Sequence, residues 1–291
     1  MHIGDFIIIV YIKIDDLIQQ RGYNFQKCGR KSKLSDAEVI TMEIIGEFLG
    51  FGSDKAIYEY FKNHWIEYFP NLGHRTSFVR QSANLWKLKE ALQQHIVELI
   101  QQNSLDFDTF LCDGFPISTC HKKRVNKKNP LICEGKFGYC AAKDEYYFGF
   151  KGHILTTKHG LIINFSLAAA NIDEREIVQE LVINKIKGTL IADKGLISPI
   201  LKENLKENNI DLQTPLKKNM IDTRSRPLVK KLMSTRRKIE TVISQLTERF
   251  KIQRIKAKNM WHLCTKIGRK ILSHTMAYFI SGSTKFDEIL G

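Results

Sequence analysis

The sequence contains no Cys-x-x-Cys pair, although 6 cysteines are present (Cys28, Cys112, Cys120, Cys133, Cys140 and Cys264). With no secretory signal ahead of them they are expected to be reduced cytosolic thiols, which argues against a disulfide framework. Cys120, His121, Cys133 and Cys140 come nearest to a zinc set, but their spacing matches no standard finger. Long apolar runs are missing too. The strongest, Phe6 to Ile12, falls far short of the roughly 20 residues of a spanning helix, and Asp5 precedes it where a signal peptide carries positive charge. It reads as the apolar side of a first helix or strand. A cytoplasmic protein with no membrane partner is expected. No Walker loop, dinucleotide fingerprint or HExxH motif occurs, so nothing points to the nucleotide-binding and zinc-protease classes that those motifs mark. Acidic residues are in deficit: 31 Asp and Glu against 45 Lys and Arg, giving a net charge of +14 and a pI of about 9.4. Such an excess suits a polyanionic partner, nucleic acid before an anionic membrane, although a merely basic protein carries the same signal.

What is present is enough for a sizeable core: 43% of residues are hydrophobic and 10% aromatic. The length admits one large domain or two smaller ones. Ser35 followed by Glu38 is a capping box opening a helix through Val39, Ile40, Met42, Ile44, Ile45, Phe48 and Leu49, ended by Gly50 and Gly52. Ser53 or Asp54 caps a second helix with Ile57, Tyr58, Phe61 and Trp65 at helical spacing. A third is expected from about Thr76 to Ile100. Residues 1–103 thus read as a helical module with short helices and tight breaks, as in helix-turn-helix folds, serving either as a DNA-binding module or as a structural cap.

From residue 104 the pattern changes. Leu105 to Cys112 becomes increasingly apolar and is followed by Asp113-Gly114, a strand expected to end in a carboxylate. A basic loop follows, with His121, Lys122, Lys123, Arg124, Lys127 and Lys128, suited to phosphate contact or to plain solvation. Tyr146–Thr156 and Gly160–Ala170 read as a hairpin. Asp173 is placed to cap the next helix. The run Leu190-Ile191-Ala192-Asp193 repeats the design of Asp113: a short buried strand ending in an aspartate before Lys194 and Gly195. A helix from about Pro199 to Asn208, a short strand, a basic helix from Leu228 to Phe250 and a last helix from Met260 to Ile280 complete the chain. The fold class expected is α/β, a mixed sheet flanked by helices.

Asp113 and Asp193 would share one sheet edge if their strands are neighbours, and two hard oxygen ligands there suit Mg²⁺ or Mn²⁺. A third acid is sought on the basic helix, where Glu240 follows Arg236, Arg237 and Lys238. Taken alone, Arg236 and Glu240 are an ordinary i,i+4 pair. Three carboxylates holding two ions would support in-line phosphoryl transfer, with basic side chains on the phosphate backbone. Lys194 suits either a phosphate or water. His153, in a strand-like segment, reads as a satisfied structural histidine, and Asp106 and Asp108 as solvent-facing.

Cys112-Asp113-Gly114 with Pro116, Phe150-Lys151-Gly152-His153, Ala170-Asn171-Ile172-Asp173-Glu174-Arg175, Ile191-Ala192-Asp193-Lys194-Gly195 and Arg237-Lys238-Ile239-Glu240, in that order, resemble the DDE transposases of bacterial insertion sequences. The similarity is greatest to the group named after insertion sequence nine-eighty-two. Leu34–Glu38 and Arg75–Phe78 resemble its helical N-terminal region, so the likeness covers nearly the whole chain. It implies a ribonuclease H-like catalytic domain over 104–291, with Asp113, Asp193 and Glu240 as catalytic acids and metal ligands. It further implies cleavage at terminal inverted repeats, joining of 3′ ends to target DNA, and a homodimer that synapses two ends. A nuclease without strand transfer and a non-catalytic DNA-binding protein are the alternatives. Related groups carry a Tyr-(2)-Arg-(3)-Glu-(6)-Lys pattern. Arg236 and Glu240 fit it, while Met233 and Thr247 stand where tyrosine and lysine are expected. Glu248, rotated about 80° from Glu240 by helical geometry, is the rival third acid and lacks the matching arginine.

Overall fold

The computed structural model describes residues 1–23, 32–104, 107–121, 123, 125, 131–140, 144–217, 219–286 and 289. Two compact units divide the chain: Met1–Leu99 together with Leu246–Gly291, and Ile100–Gln245. This differs from the boundary at 103/104 read in the sequence, because the C-terminal stretch from Leu246 packs with the N-terminal helices.

In the first unit, Phe6–Ile12 is helical, inside α1 (Ile3–Arg21). Helix α2 (Asp36–Phe48) opens on the expected capping box. The Ser35 hydroxyl accepts from the Glu38 N–H, and the Glu38 carboxylate accepts from the Ser35 N–H. The Ser53 hydroxyl caps α3 (Asp54–His64). The single third helix expected is in fact two, α4 (Arg75–Asn84) and α5 (Trp86–Gln102), with His74 capping the first. The break falls at Leu85, whose side chain is buried. There the backbone leaves helical angles, with φ −87° and ψ 12°, and the Leu85 N–H donates to the Ser82 carbonyl.

The second unit holds a six-stranded mixed sheet. Strand β1 (Thr109–His121) was expected to end at Asp113, but it continues to His121. Past Cys112 its pairing is with one neighbour, and Pro116 is tolerated on this one-sided stretch. Strand β2 (Lys136–Cys140), not anticipated from the sequence, pairs with the first part of β3 (Glu145–Thr157). β4 (Ile162–Ala169) pairs with the remainder of β3, closing the expected hairpin. β3 also lies antiparallel to β1 over nearly its full length. Asp173 caps α6 (Glu174–Val182), which packs on β3 and β4. β5 (Gly188–Ala192), α7 (Pro199–Glu207) and β6 (Ile210–Gln213) follow, with β5 parallel to both β1 and β6. The order β2-β3-β1-β5-β6, with β4 also on β3, and helices around the sheet make the ribonuclease H-like α/β fold. Helix α8 (Arg226–Glu248) leads out of this unit.

The last helix, α9 (Met260–Ser281), returns to the first unit, packing on α2 and α4. Besides its apolar stripe it buries Arg269 and Lys270. Arg269 pairs with Glu47 at 2.6 Å, Asp54 at 2.7 Å and Glu43 at 3.4 Å, and Lys270 pairs with Glu47 at 2.5 Å. Glu43 also holds the buried Lys89 of α5. Buried charges persist only when paired in this way. No helix among the described residues is long and apolar enough to cross a membrane.

Candidate catalytic site

Strands β1 and β5 are parallel neighbours, in register from Thr109 opposite Thr189 to Cys112 opposite Ala192. Asp113 and Asp193 are the next residue on each, so the two carboxylates sit side by side where β5 stops. Asp193 occupies the N-cap position of a single 3₁₀ turn, Lys194–Leu196, yet makes no capping hydrogen bond. Its carboxylate goes instead to Arg236.

That arginine organises the site. From α8 its guanidinium stands 3.0 Å from Glu240 Oε1, 3.2 Å from Asp193 Oδ1 and 3.8 Å from Asp113 Oδ2. The i,i+4 pair legible in the sequence therefore reaches both strand aspartates as well. Glu248, at the end of α8, is exposed and is not among the partners of Arg236.

Asp113 is the most enclosed of the three acids. Burial pushes its carboxyl up to about 6, helped by the charges of Asp193 and Glu174, while the Gly114 N–H and Arg236 pull the other way. The Gly114 N–H donates to Asp113 Oδ1 at 2.8 Å. Gly114 has a steric reason to be glycine: a Cβ there would lie 2.8 Å from the Nε2 of His153. His153 is not the satisfied histidine expected. Its side chain is buried, and neither ring nitrogen has a hydrogen-bond partner among the described residues. Burial holds the ring neutral, its pKa down to about 4. Glu174 and Lys151, paired at 3.0 Å, complete this surround. Both stood in noted motifs, but no local pattern indicated that they pair.

Lys123, Lys194 and Arg237 are exposed and Lys238 is half-buried. Lys122, Arg124, Lys127 and Lys128 lie outside the described residues. Asp108 is exposed and paired with Lys158, as its alternation suggested; Asp106 is also outside the described residues. A cleft of about 540 Å³, lined by Phe107, Phe110 and Asn184–Lys187 among others, lies toward the start of β1 and β5, away from the aspartates.

Three carboxylates supply the hard oxygen donors that Mg²⁺ and Mn²⁺ prefer. As they stand, no three His, Cys, Asp or Glu groups among the described residues surround one point closely enough to hold an ion. The cation at the centre is the guanidinium of Arg236. The donor chemistry fits a divalent ion, and closing three ligands on it requires Arg236 to leave its place.

A search among curated proteins finds no significant match. Among solved structures the chain is similar to a piggyBac transposase synaptic complex with hairpin DNA, at 11% identity and a TM-score of 0.50, over 97% of this chain and 76% of that one. Two Mos1 complexes also match. The paired-end complex with the left transposon end has 10% identity over 83% of this chain and 87% of that one, and the mariner paired-end complex with Mn has 12% over 82% and 86%. Both have a TM-score of 0.24, too low to bear on the fold. The family model described as "Transposase DDE domain" matches residues 106–260, spanning β1 to the start of α9 and more than half of the sequence. The chain belongs to the DDE transposase family.

Proposed function

We propose that this protein binds the terminal inverted repeats of its own insertion sequence, cleaves the DNA there and joins the 3′ ends to a target duplex. The observation that carries this reading is the meeting of Asp113, Asp193 and Glu240, from two strands and a helix, on the single guanidinium of Arg236. Mg²⁺ or Mn²⁺ held by these carboxylates would supply an activated water or 3′-hydroxyl and stabilise the leaving oxygen. The rest falls to the chain itself. The strand aspartates are fixed by β1 and β5, so two of the three ligands are set by the sheet. Glu240 adapts from the exposed face of α8. Arg236, with its planar fork of donors, exchanges carboxylates for phosphate oxygens when DNA enters. Lys123, Lys194, Arg237 and Lys238, with Lys122, Arg124, Lys127 and Lys128 of the basic loop, neutralise the phosphate backbone and give salt-dependent binding. A homodimer brings two ends together.

The test is cleavage and strand joining on a duplex carrying the element's inverted repeat, with Mg²⁺ or Mn²⁺. Asp113→Asn, Asp193→Asn and Glu240→Gln are each expected to lower both steps more than roughly a hundredfold, with DNA affinity retained. Full activity in any one variant removes that residue from the site. Cleavage without joining in the parent protein would make it a nuclease, and binding without cleavage a non-catalytic DNA-binding protein.

A further inference from the structure

The connection from β6 to α8 leaves the sheet at the same edge as the two aspartates. β6 ends at Gln213, opposite Ile191 of its parallel neighbour β5, and Asp193 follows just beyond on that strand. Arg224 ties the far end of this connection back to its start. Its guanidinium donates to the Gln213 side chain at 2.9 Å and to the Thr214 carbonyl at 3.0 Å, and it meets each oxygen of Asp222 at 2.9 Å. Between these anchors the Met220 N–H donates to the Lys217 carbonyl and closes a turn. Ile221 follows, 90% exposed, the highest value of any large apolar side chain among the described residues, with the exposed Met220 beside it. A lone exposed isoleucine is ordinary; the charges around this one are not. Asp222 is the only acid from Thr214 to Ile239, and Arg224 engages both of its oxygens. Lys217, Arg226, Lys230 and Lys231 are exposed and have no ion-pair partner among the described residues. The last three stand in the first two turns of α8, where the helix dipole and one another's charge oppose them. An apolar tip set among uncompensated cations fits a partner that is anionic outside and apolar within. Double-helical DNA has that build, with phosphates on its surface and stacked bases inside.

We infer that Met220 and Ile221 form a wedge that enters a base step of duplex DNA, with Lys217, Arg226, Lys230 and Lys231 on the flanking phosphates. The inference rests on the DNA-cleaving reading above and adds to it how the duplex is opened beside the carboxylates. An apolar side chain pressed between two base pairs unstacks them and kinks the helix, and the phosphate contacts that the kink allows offset the lost stacking. Arg224 sets the place of the wedge, because it fixes the loop to the end of β6, the strand next to the one that leads into Asp193.

The test uses the full chain, in chelator, with duplexes carrying the element's end. A fluorescent base analogue that brightens when unstacked is placed in turn at each position around the cleavage point. The parent protein is expected to brighten it severalfold at one step. Ile221→Ser, which touches no packed side chain, is expected to abolish that rise while leaving affinity within about threefold, and Ile221→Leu is expected to keep it. Ile200→Ser, which removes an isoleucine 73% exposed on α7, is the control and is expected to change neither. Lys230→Gln combined with Lys231→Gln is expected to weaken binding at every sequence and to lower the salt slope by about two. A rise that survives Ile221→Ser, or a parent protein that binds the duplex and brightens no position, overturns the wedge and leaves the DNA-cleaving reading standing. Self-association lost in Ile221→Ser with the rise unchanged makes the tip a contact between copies and likewise overturns it. A parent protein that binds no duplex at all defeats the reading and the inference together.

Discussion

At the residue scale, Asp113 shows what assembling such a site demands of the fold. Its carboxyl is pushed up to about 6 chiefly by burial, so the native state holds that proton more tightly than the unfolded chain does. This favours the fold below about pH 4, and the advantage is lost as the pH rises through 6. Ionising Asp113 at neutral pH then costs on the order of 2 kcal/mol when no divalent ion is bound. Asp113→Asn, which cannot ionise, is expected to be the more stable protein above pH 6 by about that amount, with the difference vanishing near pH 4. Thermal melts in chelator measure it. A more stable parent protein at pH 8 would show that Arg236 compensates the charge fully. The proposed metal ligation runs the other way, since it requires the ionised form.

At the scale of elements, two helices carry charges that only their neighbours explain. Helix α8 buries Ile239, Val242 and Leu246 and turns Arg236 toward the strand aspartates. Helix α9 takes Arg269 and Lys270 into the interior of the first unit, against Glu43 and Glu47 of α2. Burial works against the Arg269 charge, but Glu47, Glu43 and Asp54 outweigh it and keep the guanidinium protonated. Glu47→Ala would leave Lys270 without its carboxylate and Arg269 with a reduced set. A loss of about 3–5 kcal/mol is expected, read by urea denaturation. A loss below about 1 kcal/mol would mean that Glu43 and Asp54 suffice. Glu47→Gln, which keeps hydrogen bonding, is expected to lose less.

For the whole molecule, the division into Met1–Leu99 with Leu246–Gly291, and Ile100–Gln245, has a practical consequence. A fragment cut at the sequence-based boundary, residues 104–291, carries α9 without the helices that cover Leu263, Ile267, Leu272 and Met276. It is expected to aggregate, or to lose α9 to limited proteolysis, and to be rescued by supplying residues 1–103 in trans. Residues 100–245 are expected to remain soluble alone. Size-exclusion chromatography with protease protection decides, and a monomeric 104–291 fragment with a protected α9 would contradict it. Strands β1 and β5 and the C-terminal helix α9 thus belong to different compact units, where the sequence-based boundary would have kept them in one.

Local chemistry was legible in the chain: the Ser35–Glu38 capping box, the β3–β4 hairpin, Asp173 as a cap and Asp193 at the end of β5. Each depends on residues within a few positions of one another, so propensity and spacing were enough. The end of β1 was misread, because a strand with a neighbour on one side continues through Asp-Gly and a proline where a central strand would stop. The fold class and the choice of three acids were read from pattern and resemblance. The juxtaposition of Asp113 and Asp193 needed the parallel register of β1 and β5, formed across an intervening hairpin and helix. The three-way reach of Arg236, the pairing of Glu174 with Lys151, the unsatisfied His153 and the return of α9 to the N-terminal helices likewise arise between residues remote in sequence. The sequence by itself determined which carboxylates the protein has and where its capped helices start. Packing alone decided which of them meet, because burial and charge compensation act between side chains that the chain does not place next to each other.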